Sequence, residues 1–200
     1  MPTRRLGQFE EDIRRARDLV ALGQAVGGIT RGRVDASDLY RFSLAQSVSA
    51  LDSYVHGVVL DRAVAMLMGR LAAEGKRSRV GLHFGAVQEV VTSATAADRE
   101  VAARSLVAQR LALESFQRPD AISDALAMVG ISSPWKTAFG SNAANTKTAL
   151  GIVVQRRHQI VHSCDNDPVV IGALTPLSDI DALDAVQTVE QVVLGLDPLL

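Results

Sequence analysis

Apolar residues recur every three or four positions over the first part of the chain. Between about Arg4 and Val26 they fill one side of a helical projection, and charged residues fill the other, which predicts an amphipathic helix. Three glycines between positions 27 and 32 interrupt the pattern and predict a turn. Residues 35–38 (Asp-Ala-Ser-Asp) then offer N-cap oxygens for a longer second helix, predicted to run to about Ala73.

The rest of the chain also favours helices. Residues 82–91 are apolar but too few to distinguish a helix from a strand, and residues 169–172 form an extended candidate too isolated to build a sheet. Helices are predicted from Asp98 to about Phe116, from Pro119 to Met128, from Asn142 or Asn145 to about residue 165, and after the capping segment 175–181. The sequence therefore predicts one all-α domain spanning residues 1–200.

The composition is that of a globular protein with little overall charge. Hydrophobic residues make up 48% of the chain and charged residues 22%, and the formal net charge is −1. A polyanion would therefore have to be held by a local basic patch. Cys164 is the single cysteine, and no apolar run approaches the length of a membrane span, so a soluble protein of the reducing cytoplasm is expected.

A basic and polar run stands near the end of the penultimate predicted helix. On a helix, residues four apart share a face and residues five apart point roughly 140° apart. His158 and His162 would therefore lie on one face, and Arg157 could join them near a helix end, where the geometry loosens. The run is Arg156-Arg157-His158-Gln159-Ile160-Val161-His162.

Residues 157–162 resemble the R-x4-6-H signature of the HEPN superfamily, with a polar residue after the arginine and an apolar pair before the histidine. Segments 51–56, 131–135 and 177–196 look like the RiboL-PSP-HEPN branch, so the resemblance covers most of the chain. It implies a HEPN-type helical bundle with a long N-terminal helical hairpin and with the motif on the penultimate major helix.

The resemblance implies metal-independent and cofactor-independent cleavage of RNA, in which a ribose 2′-hydroxyl attacks the adjacent phosphate and leaves a 2′,3′-cyclic phosphate. His162 would transfer a proton, because imidazole titrates near neutrality. Arg157 would stabilise the charge of the transition state with its planar fork of donors. His158 would orient the substrate or share the proton transfer, and Arg156 would add positive charge.

HEPN ribonucleases of this kind usually act as dimers, and the resemblance implies a homodimer with a composite cleft between two motifs. Such a cleft would concentrate positive charge in a chain that is nearly neutral overall. The resemblance also suggests a toxin–antitoxin, phage-defence or stress setting, with an antitoxin protein as a further partner. In related toxins a tyrosine two residues after the histidine is modified; Cys164 occupies that position here, so control by that modification is not expected.

Other polar residues have less specific patterns. Asp52 and His56 are four apart on the second helix and could bind substrate, with Asp52 orienting Arg157, or lie on the surface. Arg77 and Arg79, in a basic turn over residues 74–79, could contact an RNA backbone, although a solvated loop is the simpler interpretation. Trp135 is expected in the core together with Phe139, rather than as a base-stacking platform.

Three alternatives to a nuclease remain open from the sequence. The basic run could be a solvated helix end whose arginines favour the negative end of the helix dipole. A metal site is conceivable, because histidines four apart are a known ligand pair and Cys164 and Asp165 follow. A HEPN domain without catalysis could bind a nucleotide or a partner protein in the same cleft.

Overall fold

Two long helices, α1 (Arg4–Thr30) and α2 (Ser37–Leu67), open the chain in the computed structural model, which describes residues 3–73 and 80–200. The basic turn with Arg77 and Arg79 lies outside those residues. The helices that follow are α3 (Phe84–Thr92), α4 (Ala96–Leu111), α5 (Pro119–Met128), α6 (Pro134–Phe139), α7 (Ala143–Ser163) and α8 (Asp179–Leu196). Short 3-10 turns occupy Gly140–Asn142 and Asp197–Leu199.

The described residues form no β-strand, and the one strand-like feature is an isolated bridge between Asn166 and Leu174. The predicted all-α class is therefore confirmed. Residues 169–172, the extended candidate, form a turn in the loop between α7 and α8. Within the described ranges, no helix is long and apolar enough to cross a membrane.

The first two helices form an antiparallel hairpin. The Phe9 ring makes an edge contact with Tyr54 at a centroid distance of 5.6 Å, while the Ser43 hydroxyl donates to the Ala16 carbonyl at 2.7 Å. Further along α1, a Cβ on Gly23 would lie 2.5 Å from the Tyr40 ring, so the close approach there requires glycine. Residues later in α1 contact residues earlier in α2, so the two helices are antiparallel, which confirms the predicted long hairpin.

Helix α1 ends four residues later than the glycine pattern predicts. Gly27 and Gly28 are helical, and the chain leaves the helix through two left-handed residues, Arg31 (φ 53°) and Gly32 (φ 75°). The Gly32 N–H donates to the Gly27 carbonyl at 3.0 Å, which satisfies a carbonyl at the helix end. The left-handed conformation, rather than the first glycine, therefore sets the boundary.

Helix α2 ends at Leu67, before the predicted end at about Ala73. Tertiary contacts explain two further differences from the predicted elements. Helix α4 stops at Leu111 rather than Phe116, because the Phe116 N–H donates to the Asp52 carboxylate of α2. Helix α6 was not predicted; its Trp135 indole donates to the Pro119 carbonyl and to Ser123 of α5. Trp135 is buried in the core and Phe139 packs against it, which confirms that expectation.

The hydrophobic core lies around the middle of α2, where α1, α4, α5, α7 and α8 pack against it. Helix α7 contributes its buried residues Leu150, Val153 and Val154 to this core. Its last two turns, which carry the basic run, extend beyond those residues and are mostly exposed or half-buried. The burial of these three apolar residues, one to two turns earlier, therefore holds the polar end of α7 in place.

Candidate active site at the end of α7

One face of α7 lines an open cavity with a volume of about 870 Å³. The lining residues of α7 recur at helical steps, as expected for one face; they are Lys147, Thr148, Gly151, Val154, Gln155, Arg157, His158 and His162. The opposite wall is the end of the α4–α5 connection and the start of α5, comprising Ser115, Gln117, Arg118, Pro119, Asp120 and Ala121.

Arg157, His158 and His162 all reach this cavity, as the spacing predicts. The two imidazole rings are exposed and lie 4.3 Å apart between centroids, at an interplanar angle of 42°. Arg157 is half-buried, and its side chain forms no ion pair or hydrogen bond with the described residues; its Nε is buried without a partner. A guanidinium without a carboxylate therefore stands beside two solvent-reachable imidazoles.

Arg156 is not part of this constellation, although it precedes Arg157 directly. Its Nη2 donates to the Asp165 carboxylate at 2.8 Å and to the Thr175 carbonyl at 2.9 Å. Asp165 is fully buried and also accepts from Arg41 Nε at 2.7 Å. The position of Arg156 does not support its predicted contact with substrate, because its charge is paired on another side of α7 and it does not line the cavity.

Asp52 and His56 stabilise the wall opposite α7 instead of contacting the motif. Asp52 accepts hydrogen bonds from the Phe116 N–H at 2.6 Å and from the Gln117 amide at 3.2 Å. The predicted contact between Asp52 and Arg157 is therefore wrong. The His56 ring packs against the Phe116 ring at a centroid distance of 4.4 Å and a tilt of 39°, and neither Asp52 nor His56 lines the cavity.

The surroundings of His56 favour its protonated form. Its Nδ1 lies 2.8 Å from the Asp52 carbonyl and its Nε2 3.2 Å from the Leu111 carbonyl, and only the imidazolium can donate to both. Hydrogen bonding to Asp52 raises the pKa of His56 despite partial burial. Partial burial alone would raise the pKa of Asp52, but hydrogen bonds from His56, Phe116 and Gln117 lower it overall.

The cavity concentrates positive charge. Its described lining includes three permanent cations, Arg118, Lys147 and Arg157, against one carboxylate, Asp120. Lys147 Nζ lies 3.0 Å from the Asp120 carboxylate, which is 88% exposed, so solvent screens that pair. Arg118 is exposed and its side chain has no described partner. Such a lining attracts anions even though the chain carries a net charge of −1.

Sequence reasoning missed Arg118, Lys147 and Gly151. Lys147 and Gly151 lie on the same helical face as His158, so the three- and four-residue steps backward from the motif would have found them. Nothing in the local sequence around Arg118 indicates its place, because the α4–α5 connection meets α7 only in the folded chain.

The alternative metal site is not assembled. Asp165 is buried beneath two arginines, whereas His158 and His162 face the cavity and Cys164 is exposed. Among residues 3–73 and 80–200, no group of three or more His, Cys, Asp and Glu side chains is arranged to hold a metal ion. The two histidines are therefore free for proton transfer or anion binding.

Comparison of the chain with models of known protein families, with curated proteins and with solved structures found no match.

Proposed function

We propose that this protein is a HEPN-type endoribonuclease that cleaves RNA without a metal ion. The observation that carries the proposal is the Arg157 guanidinium, which has no anionic partner among residues 3–73 and 80–200 and shares a cavity with two adjacent, exposed imidazoles. With no such partner, Arg157 contributes little to the fold, so a substrate phosphate that supplies the opposite charge is a physical reason for the arginine to be there.

The reaction needs two proton transfers and one stabilised charge. The ribose 2′-oxygen attacks phosphorus and loses its proton, while the bond from phosphorus to the 5′-oxygen breaks and that oxygen gains a proton. His162 performs one transfer, and His158, one helical turn away, performs the other or orients the phosphate. Arg157 donates to the non-bridging oxygens, on which negative charge increases in the transition state.

The charge of the cavity supports a polyanionic substrate. Arg118 and Lys147 extend the positive lining beyond the reacting groups, so a chain of phosphates finds more than one cation. The volume of about 870 Å³ lies within the range of roughly 300–1,000 Å³ typical of ligand sites. The positive charge favours a nucleotide chain over a neutral substrate.

Dimerisation is part of the proposal and rests on the resemblance. Ile152 and Val161 are exposed apolar residues of α7 that flank the cavity face on opposite sides, so a second copy that covers the cavity would contact both and bring two motifs together. Light scattering gives the oligomeric state. A proven monomer with full activity would remove this part of the proposal and leave the chemistry unaffected.

The decisive experiment incubates the purified protein with generic RNA in EDTA. We expect cleavage that leaves 2′,3′-cyclic phosphate ends, and losses on the order of 10²–10³-fold in Arg157→Ala and 10²–10⁴-fold in His162→Ala. His158→Ala should lose less, because one imidazole remains. Mass spectrometry of the ends identifies the chemistry.

Matched controls use residues of the same types away from the cavity. Arg99 and His83 are exposed and do not line it, so Arg99→Ala and His83→Ala should retain activity. Activity that disappears in EDTA would indicate a metal-dependent hydrolase. Tight binding of a nucleotide or of a partner protein without turnover would indicate the non-catalytic HEPN module instead.

A further inference from the structure

The cavity extends well beyond the reacting groups. Its lining along α7 begins at Lys147 and ends at His162, and the 11 steps from Lys147 to His158 alone rise about 16 Å along the helix axis. A single phosphate with its ribose cannot span that length. Between the two ends lie Gly151 and Val154, which present little bulk and no charge.

The two ends of the cavity differ in chemistry. At one end, Arg157 can bind a phosphate and His158 and His162 can transfer protons. At the other end, Lys147 contacts Asp120, two residues after Arg118 in the facing wall, and these two cations can only bind. Neither of these two cations is held in a buried ion pair: Arg118 has no described partner, and Lys147 meets only the exposed Asp120. A phosphate can therefore replace Asp120 as the partner of Lys147 at low cost.

We propose that Arg118 and Lys147 form a second phosphate subsite, and that the cavity between it and Arg157 holds one unpaired stretch of RNA flanking the bond to be cut. This inference rests on the proposed function. The small, uncharged floor at Gly151 accommodates a ribose or base between the two bound phosphates. Bases in a duplex face the partner strand, so an unpaired strand is the occupant that fits.

Gly151 is the residue that admits this strand. A Cβ added there would meet no protein atom within 4 Å, so no packing requirement explains glycine inside α7, where it lowers helix stability. Its effect is to leave the cavity floor open. A larger side chain at this position would stabilise the helix and at the same time occupy the space of the strand.

The test measures binding rather than cleavage, so it does not depend on turnover. A fluorescent, non-cleavable 2′-O-methyl RNA oligonucleotide is titrated against the full chain over a range of salt concentrations. Arg118→Ala and Lys147→Ala should each lower the slope of log K against log salt by about 0.7, the value for one lost single-strand phosphate contact. Asp120→Asn should strengthen binding, because it removes the carboxylate that competes for Lys147.

Gly151→Leu tests whether the open space at the cavity floor is needed for oligonucleotide binding. It should weaken oligonucleotide binding by roughly tenfold or more, as excess methylene groups do in a fitted site. Its melting temperature should be no lower than that of the parent, because leucine favours helices over glycine. Gly7→Leu is the matched control, since Gly7 is helical, exposed, equally unobstructed and outside the cavity. It should bind normally.

The outcomes separate this inference from the function on which it rests. If Arg157→Ala weakens binding but the Arg118, Lys147 and Gly151 variants do not, the subsite is refuted and the nuclease proposal stands. If those variants weaken binding but the parent never cleaves RNA, the subsite stands and the nuclease proposal fails. Absence of binding, or equal binding of a duplex with the same sensitivity to the variants, overturns the inference.

Discussion

The last turns of α7 carry two consecutive arginines in opposite circumstances. Arg156 is 16% exposed, and it shares the fully buried Asp165 carboxylate with Arg41, which is 7% exposed. Arg157 lines the open cavity beside two imidazoles and has no described partner. Consecutive residues of a helix differ by about 100° in direction, so one guanidinium meets α2 and the α7–α8 loop while the other meets the cavity.

One basic motif thus contains an arginine whose charge stabilises the fold, Arg156, and an arginine whose charge is available to a ligand, Arg157. The Arg41–Asp165–Arg156 cluster ties the loop after α7 to α2, because both arginines also donate to the Thr175 carbonyl. This cluster fixes the end of the helix that presents His162. Arg157 lacks such ties, so its charge remains available for an anion from outside the chain.

The largest effect on the free energy of unfolding is expected when the Arg41–Asp165–Arg156 cluster loses the Asp165 carboxylate. Asp165→Asn preserves the size of the side chain and the tolerance for the left-handed conformation at φ 55°. It leaves the half-buried Arg156 without its carboxylate and the buried Arg41 with only a 3.5 Å contact to the exposed Asp38. We expect the free energy of unfolding to fall by about 3–5 kcal/mol, measured by urea denaturation.

The control for this change is Asp184→Asn, because Asp184 is exposed and its side chain has no described partner. Its effect should stay within about 0.5 kcal/mol. Equal losses in the two variants would mean that the cluster is not a buried, coupled unit, and the contrast between Arg156 and Arg157 would lose its basis.

A smaller, pH-dependent effect is expected at the wall opposite α7. The raised pKa of His56 means that its protonated ring stabilises the folded chain fully below its ordinary pKa of 6.5, and that this contribution is lost as the pH rises through the raised pKa. The stability difference between the parent and His56→Gln should therefore be larger in mildly acidic than in alkaline buffer. Urea denaturation at several pH values measures it.

Asp52, the partner of His56, sets the lower limit of the pH range in which this pair stabilises the protein. The lowered pKa of Asp52 means that its contribution is present above its ordinary pKa of 3.8 and is lost as the pH falls through the lowered pKa. Asp52→Asn should thus destabilise the protein at neutral pH and lose its effect in strong acid. A His56 contribution that grows with rising pH would contradict the hydrogen-bonding assignment of the ring.

The smallest effect on stability is expected at Arg157. Arg157→Ala removes a half-buried cation with no partner, so the free energy of unfolding should change by no more than about 0.5 kcal/mol. Arg156→Ala, one residue away, should lose about 1–3 kcal/mol, because Asp165 and Thr175 each lose a donor. Comparable losses in the two variants would assign Arg157 a structural role and remove the main support for the proposed nuclease.

Local pattern was sufficient to locate most of the helices. The start of α1 and both ends of α5 agree with the predicted positions, since amphipathic repeats and an early proline depend on neighbours in sequence. Two predictions around α4 and α6 were wrong because residues distant in sequence determine the structure there. The Asp52 carboxylate accepts a hydrogen bond from the Phe116 N–H, which shortens α4. Contacts with α5 stabilise α6 around Trp135.

The sequence by itself determined an all-α chain and placed His158 and His162 close together, because residues one turn apart on a helix are neighbours whatever surrounds them. Tertiary structure alone decided that Arg156 is paired with Asp165, that Asp52 supports the opposite wall, and that Arg118 faces α7. Those facts depend on which helices pack together. Helix packing is set by the burial of apolar faces across the whole chain and is not readable from a short motif.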